Sequence, residues 1–389
     1  MLLAQRLLMG REELISELIN AGGLYADGLV SERARLGIAF NPNSNKFVVA
    51  YRGTSGYASA VVGRVAGNSI TFGTPVVIDS SLTRSYALTA VYDSSNDKFI
   101  IGYAMNVYDD YNVVVGTVSG LSISFGTKAT ATTYESIKAT MCFDENSNKA
   151  VVFVSGRDGH WASPLTVSGT SISFGSINRY EITTSSYSDG LDSVYDPSTN
   201  QIILSYSYAN NSTLRARVRT ATVSGTSVSL GPVLKINGSD ENLFRCAALS
   251  YDSANNQPVL AYSFTDNDTT LTDTNLNVVP LNVSGTSITK GSVVIATDYT
   301  SFSDAKIDLS YKPINGKHLI SYSNGNDTML YYRFCSLDSG VITIEDEQSV
   351  DLGFTPDVGI DSVLDTSTNK AIVASIGPAA TYNINIYLI

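Results

Sequence analysis

Two histidines, three cysteines and one tryptophan in 389 residues rule out whole classes of chemistry before any motif is sought. Three cysteines cannot complete a disulfide set, and Cys142, Cys246 and Cys335 read as small buried hydrophobes in three different repeats. His160 and His318 exclude a histidine-rich metal centre, and a Ser-His-Asp triad would have to use one of them. Charged residues make up only 16% of the chain and the net charge is −11, with no visible cluster of Lys or Arg. Phosphate binding needs such clusters, so nucleic acid is not the expected partner. No apolar run is long enough to span a membrane. The leucine-rich start is interrupted by Arg6, Gly10 and Arg11 and is too short for a secretory core, which predicts synthesis in a cytoplasm with a mature start near Met1.

What the chain has in abundance is repetition. VSGTSISFG at 167–175 is echoed at 65–73, 118–126, 223–231 and 283–291, with a decayed copy, LDSGVITIE, at 337–345. The glycines Gly67, Gly120, Gly169, Gly225, Gly285 and Gly340 are spaced by 53, 49, 56, 60 and 55 residues. Such a period marks an array of one supersecondary unit. A second landmark repeats independently seven times: FNPNSNK from Phe40, YDSSNDK from Tyr92, FDENSNK from Phe143, YDPSTNQ from Tyr195, YDSANNQ from Tyr251, YKPINGK from Tyr311 and LDTSTNK from Leu364. Its Asp, Asn, Ser, Pro and Gly content is hairpin chemistry.

Between landmarks each unit reads as four strands, in the second unit 87–93, 98–105, 112–120 and a run from Ser122 into Lys128. The middle strands are nearly continuous apolar runs, as burial on both faces requires, and the fourth alternates. The pattern predicts an all-β fold, a seven-bladed β-propeller of four-stranded blades. Only two strands follow the seventh turn, 370–376 and 382–389, so the last blade needs a strand from the other end of the chain. The repeat offset places Glu17–Ala26 there. Leu3, Leu7, Leu14 and Leu18, at three- to four-residue spacing, predict a helix over roughly residues 1–18. The expected organisation is a helical docking segment over 1–22 and a propeller over 23–389.

The wording VSGTSISFGTPVV, alternating with YDSSNNK-like turns and strands ending in AY or SY, resembles repeat proteins of tailed-bacteriophage virions, tail and fibre-associated ones above all. The resemblance spans about residues 31–389. It implies a virion protein present in several copies per particle, contacting other virion proteins through its N-terminal segment, with a host-surface glycan or receptor as ligand.

One set of connections is nearly constant and the other differs in every repeat. Loops on a rigid scaffold commonly carry recognition, so the variable set marks the expected binding face. Its aromatic and planar polar groups give the candidate ligand-binding residues Tyr57, Tyr108, Asp109, Tyr111, His160, Trp161, Tyr187 and Tyr299. Asp266, Asp268 and Asp273 resemble half of a calcium loop but lack its glycine and terminal Glu, so neither metal nor cofactor is expected. No catalytic residue is identifiable, and the expected role is non-enzymatic. The alternatives are a glycan depolymerase using the loop carboxylates Asp109, Asp110, Asp158, Asp266, Asp268 and Asp327, and a free-standing carbohydrate-binding propeller.

Overall fold

In the computed structural model the described residues are 15–19, 36–53, 56–81, 86–104, 110–131, 136, 138–156, 159–181, 190–210, 213–236, 243–265, 274–299, 306–323, 327–353, 359–376 and 384–389. Strands and turns account for all their regular structure, and they form seven antiparallel sheets arranged as propeller blades. The innermost strands, from Gly37–Asn41 in blade 1 to Gly359–Asp365 in blade 7, touch one another in order around the ring, and the seventh touches the first. Between each neighbouring pair of blades lies one apolar cluster, seven in all. Each blade thus buries both faces of its middle strands, which is why those strands read as continuous apolar runs.

The constant turns have a common geometry. The fifth turn residue, Asn45, Asp97, Asn148, Asn200, Asn256, Gly316 or Asn369, adopts a positive φ, the left-handed conformation that Asn and Gly tolerate. The Asp that opens the turn caps it. Asp93 Oδ1 accepts the Ser95 and Asn96 backbone N–H groups at 3.0 Å each, and Asp196, Asp252 and Asp365 act likewise. In the glycine hairpins the loop has two residues with Gly first at φ near +60°, the type II′ pattern. The sixth copy differs: Ser339 and Gly340 both have positive φ, so its loop is the I′ form and Ser339, rather than Gly340, corresponds to Gly285.

The fourth strand departs from expectation. It is broken in two, for example Ser69–Phe72 and Val76–Asp79 in blade 1, both pairing with the third strand Ala58–Ala66. At the break sits the glycine that ends the repeat, and it packs on the hairpin of the next blade. A Cβ on Gly73 would lie 1.8 Å from the Leu121 carbonyl oxygen, one on Gly126 1.8 Å from that of Thr170, and one on Gly231 2.2 Å from that of Thr286. In blades 1 to 4 the constant glycine is therefore a blade-to-blade contact, while in blade 5 Gly291 packs on Pro280 of its own blade. The decay of the sixth copy follows, because blade 7 has no such hairpin and Glu345 occupies the position, paired with Lys317. Lys290, the other departure, donates to the Ile236 carbonyl of the preceding blade.

The ring is closed by the chain ends. Ile15–Ile19 pairs with Ile384–Leu388, with Ile15 opposite Leu388 and Ile19 opposite Ile384, and supplies the outer strand of blade 7. The expected helix is thereby corrected over residues 15–18, and the propeller begins at least as early as Ile15 instead of residue 23. An unpaired strand edge needs a partner, and this demand outweighs the local helical spacing. Residues 1–14 lie outside the described residues. Of the cysteines, Cys142 and Cys335 are buried and Cys246 is half-buried, with Sγ 2.9 Å from Ser263 Oγ.

Candidate functional site

Antiparallel pairing sorts the connections by face. Asp93 pairs with Lys98 at one end of blade 2, Ala104 with Tyr111 at the other, and Ser119 with Ser122 at the first end again. Both constant turns therefore share one face, and the variable connections share the opposite one. Most of that variable face falls outside the described residues, including Tyr108, Asp109, Asp158, Tyr187, Asp266, Asp268 and Asp273. Tyr299 is described only by its backbone, at the end of Val294–Tyr299 opposite Thr274. Tyr57 is half-buried in a tight turn whose Gly53 N–H donates to the Tyr57 carbonyl at 2.8 Å. Asp327 is committed to its own loop, accepting Met329 N–H at 3.0 Å and Tyr331 O–H at 2.7 Å. Among the described residues no three His, Cys, Asp or Glu side chains gather as a metal set.

Tyr111, His160 and Trp161 are not loop residues. All three lie in third strands with relative exposures of 0%, 0% and 1%. Tyr111 and Trp161 meet edge to face at 6.2 Å in the core between blades 2 and 3, and the Tyr111 hydroxyl donates to the Ala87 carbonyl. Gly102 makes room for that ring, since a Cβ there would lie 2.2 Å from the Tyr111 hydroxyl. A glycine inside an apolar strand was the available signal of close approach. His160 turns the other way, into the interface of blades 3 and 4, where its Nε2 lies 3.0 Å from the Ser207 carbonyl and its ring packs on Tyr180 and Tyr206. The carbonyl can only accept, so Nε2 carries the proton. Burial, reinforced by the charge of Arg217, lowers the His160 pKa to about 4 despite the Ser207 bond. The loop over 157–158 is much shorter than the pattern implied, and that slides these aromatics down into the sheet.

Beneath the variable face runs a layer of polar contacts that the sequence pattern presents as packing alone. The recurrent second-strand tyrosines have buried rings, but three send their hydroxyls to carboxylates: Tyr103 to Asp79 at 3.2 Å, Tyr206 to Glu181 at 3.0 Å, and Tyr322 to Glu347. A cation completes each contact, respectively Lys128, Arg217 and Arg333. Asp79 and Glu181 are equivalent positions, opposite Ala58 and His160 at the ends of the outer strands of blades 1 and 3. Burial opposes ionisation of Asp79, yet bonds from Lys128 and Ser81 bring its pKa down to about 2. For Asp79 and Glu181 the tyrosine and the cation come from the next blade, whereas Tyr322, Arg333 and Glu347 all belong to blade 6; the residue types were legible in the sequence and their distances were not.

A second polar layer encircles the axis. Four residues before the last inner-strand position come Gly37, Thr89, Thr140, Asp192, Ala248, Asp308 and Asp361. At this level each carboxylate addresses the next blade. Asp361 accepts the Ile38 N–H at 2.9 Å, Asp192 accepts the Leu249 N–H at 2.7 Å, and Asp308 accepts the Ser362 hydroxyl. Innermost strands have free edges, and these carboxylates satisfy them. They retain some surface on the axial channel while protein surrounds them on every side. Burial, together with the mutual repulsion of Asp192, Asp308 and Asp361, raises the pKa of both Asp308, to about 7, and Asp361.

His318 has the partners of a hydrolase triad without its geometry. Ser250 Oγ lies 2.7 Å from Nδ1, and Asp252 Oδ2 lies 3.4 Å from Nε2. All three side chains are buried at the interface of blades 5 and 6, and Asp252 is also the cap of a constant turn. The cluster ties two blades together and offers no access to a substrate.

No protein-family model and no curated protein matches the chain. Solved structures do. The Dos1 propeller is 12% identical over 96% of this chain and 94% of that one, with a TM-score of 0.53. What they share is the fold. A protein from Lactobacillus plantarum is 12% identical over 85% and 87% of the two chains at a TM-score of 0.53. The GH93 α-L-arabinofuranosidase of Fusarium graminearum, solved with arabinobiose, is 11% identical over 78% and 92% at 0.53. At this identity the likeness is one of fold alone, and function has to be argued from this chain's own residues.

Proposed function

We propose that this chain is a non-enzymatic recognition propeller of a tailed-phage particle, tail-associated and present in several copies, which binds a host-surface glycan through its variable face. One observation carries the reading: seven constant turns occupy one face, while all connections of the other face differ from blade to blade. A scaffold held constant below loops that change independently is the arrangement of a binding surface. The repeat wording supports the phage setting. The closing strand adds polarity, since Ile15 lies opposite Leu388, at the constant-turn end of blade 7. Attachment to other virion proteins through residues 1–14 then starts from the face opposite to recognition. Mass spectrometry and electron microscopy of purified virions test the setting, and absence of the chain from particles overturns it. Incubation of the protein with host surface polysaccharide tests the activity. Retention without cleavage is expected, whereas release of new reducing ends, abolished by Asp109→Asn with Asp110→Asn, would make the protein a depolymerase.

A further inference from the structure

The constant turn of blade 6 departs from the other six. In those six the second residue, Asn41, Asp93, Asp144, Asp196, Asp252 or Asp365, caps the turn by accepting the backbone N–H two residues on. Blade 6 has Lys312 there, a side chain without an acceptor. Lys312 is buried and turns inward, its ammonium donating to the Ile389 carbonyl at 3.2 Å across the seam with blade 7. Pro313, Ile314 and Asn315 are left exposed. Asn315 stands where blades 2 and 5 also have asparagine. Asn96 Nδ2 donates to Asp93 at 2.8 Å, and Asn255 Nδ2 donates to Asp252 at 3.0 Å and to the Leu337 carbonyl at 2.8 Å. Among the described residues the Asn315 side chain makes no hydrogen bond. It is followed by Gly316, where the other turns carry Asn45, Asp97, Asn148, Asn200, Asn256 or Asn369. Three Asn-Gly pairs occur in the sequence, and this one alone lies among the described residues.

We propose that Asn315 is a site of spontaneous covalent modification, at which the blade 6 turn converts its own asparagine to aspartate and isoaspartate through a cyclic imide. The Gly316 backbone nitrogen attacks Cγ of Asn315, so that a bond forms between them and the bond from Cγ to Nδ2 breaks. The proton lost by the Gly316 amide leaves with the Nδ2 group as ammonia. Water then opens the five-membered imide at either carbonyl, giving aspartate if the bond to Cγ is cut and isoaspartate if the original main-chain bond is cut. Nothing is oxidised or reduced. Glycine matters because it puts no side chain in the way of the attacking nitrogen and leaves the backbone free to turn. A carboxamide tied at Nδ2, as in blades 2 and 5, must first break those bonds, and that of Asn315 has none to break. The reaction places a carboxylate on the constant face and takes the net charge from −11 to −12. In the isoaspartate form it also adds one carbon to the main chain between Lys306–Lys312 and Lys317–Ser323, the first two strands of blade 6. It is independent of what the variable face binds.

The test is incubation of the full folded chain in mildly alkaline buffer at physiological temperature, beside the same chain unfolded in urea. Peptides carrying Asn96, Asn255 and Asn315 are then weighed by mass spectrometry and labelled with isoaspartyl methyltransferase. A gain of one mass unit with methyl labelling is expected at Asn315 of the folded chain, and at neither Asn96 nor Asn255. Gly316→Asn restores the residue type of the other turns: asparagine suits the φ of +65°, and an added Cβ meets no atom within 4 Å, so the fold is kept. This variant should slow conversion of Asn315 about tenfold, equivalent to ~1.4 kcal/mol on the barrier. An Asn315 that stays intact in the folded chain over the time in which the unfolded chain converts would show that the turn protects it, and would overturn the proposal. Equal conversion at all three asparagines, or an undiminished rate in Gly316→Asn, would overturn it as well.

Discussion

Replacing Asp308 by Asn should stabilise the protein above neutral pH and leave it almost unchanged in mild acid. Burial, joined by the repulsion of Asp192, pushes the pKa of Asp308 up to about 7 from an ordinary carboxylate value, and Asp361 stands at the same level of the axial channel. A folded-state pKa above the unfolded one means that the native chain holds the proton longer, so stability falls as pH rises. The loss develops between about pH 4 and pH 7. At ~1.4 kcal/mol per unit the ceiling is about 4 kcal/mol. Water in the channel and the shared titration with Asp361 reduce it to roughly 1–2 kcal/mol. The substituted amide would keep an oxygen to accept the Ser362 hydroxyl and carry no charge. For a chain of this length that gain corresponds to about 1–3 °C in Tm. The assay is thermal unfolding of the parent and of Asp308→Asn at about pH 4 and pH 8. A variant that gains equally at both pH values, or loses at pH 8, would falsify the account of the carboxylate collar.

Removal of residues 1–20 should abolish the cooperative melt near physiological temperature, because it strips the outer strand from blade 7; a truncated chain that melts like the parent would show that the ring closes otherwise. Trp161→Ala should cost ~3–5 kcal/mol by opening a cavity in the core of blades 2 and 3, which denaturant unfolding would measure, while Tyr57→Ala should cost far less. Gly126→Ala should destabilise by about 2–3 kcal/mol, since the new Cβ lies 1.8 Å from a backbone oxygen. Gly291→Ala, which meets a proline ring carbon at 2.8 Å, should cost less. His160 should titrate near pH 4 in the folded protein, its neutral form contributing stability above about pH 6.5 that is lost as pH falls towards 4; a ring signal with its midpoint near 6.5 would place His160 in water.

The number of blades, their four-strand make-up and the sorting of constant from variable connections were all determined by the sequence alone. A turn is a local event: Asp93 caps its own hairpin and Asn148 supplies its own left-handed residue, so the seven turns are visible without knowledge of any neighbour. The same locality explains the misplacement of His160, Trp161 and Tyr111. Whether an aromatic beside a loop stands at the rim or slides into an interface depends on the loop's length and on the space in the next blade, such as that left by Gly102. The strand count already called for a closing strand from the N-terminal segment, but only the tertiary structure decided that Ile15–Ile19 supplies it where the leucine spacing pointed to a helix, because its partner lies at the far end of the chain. The Asp192, Asp308 and Asp361 collar and the contacts of Asp79 with Tyr103 and of Glu181 with Tyr206 belong to the same class. Their residues stand in plain view in the sequence, but hydrogen bonds and repulsion act between blades, and the distances that govern them exist only once the ring has closed.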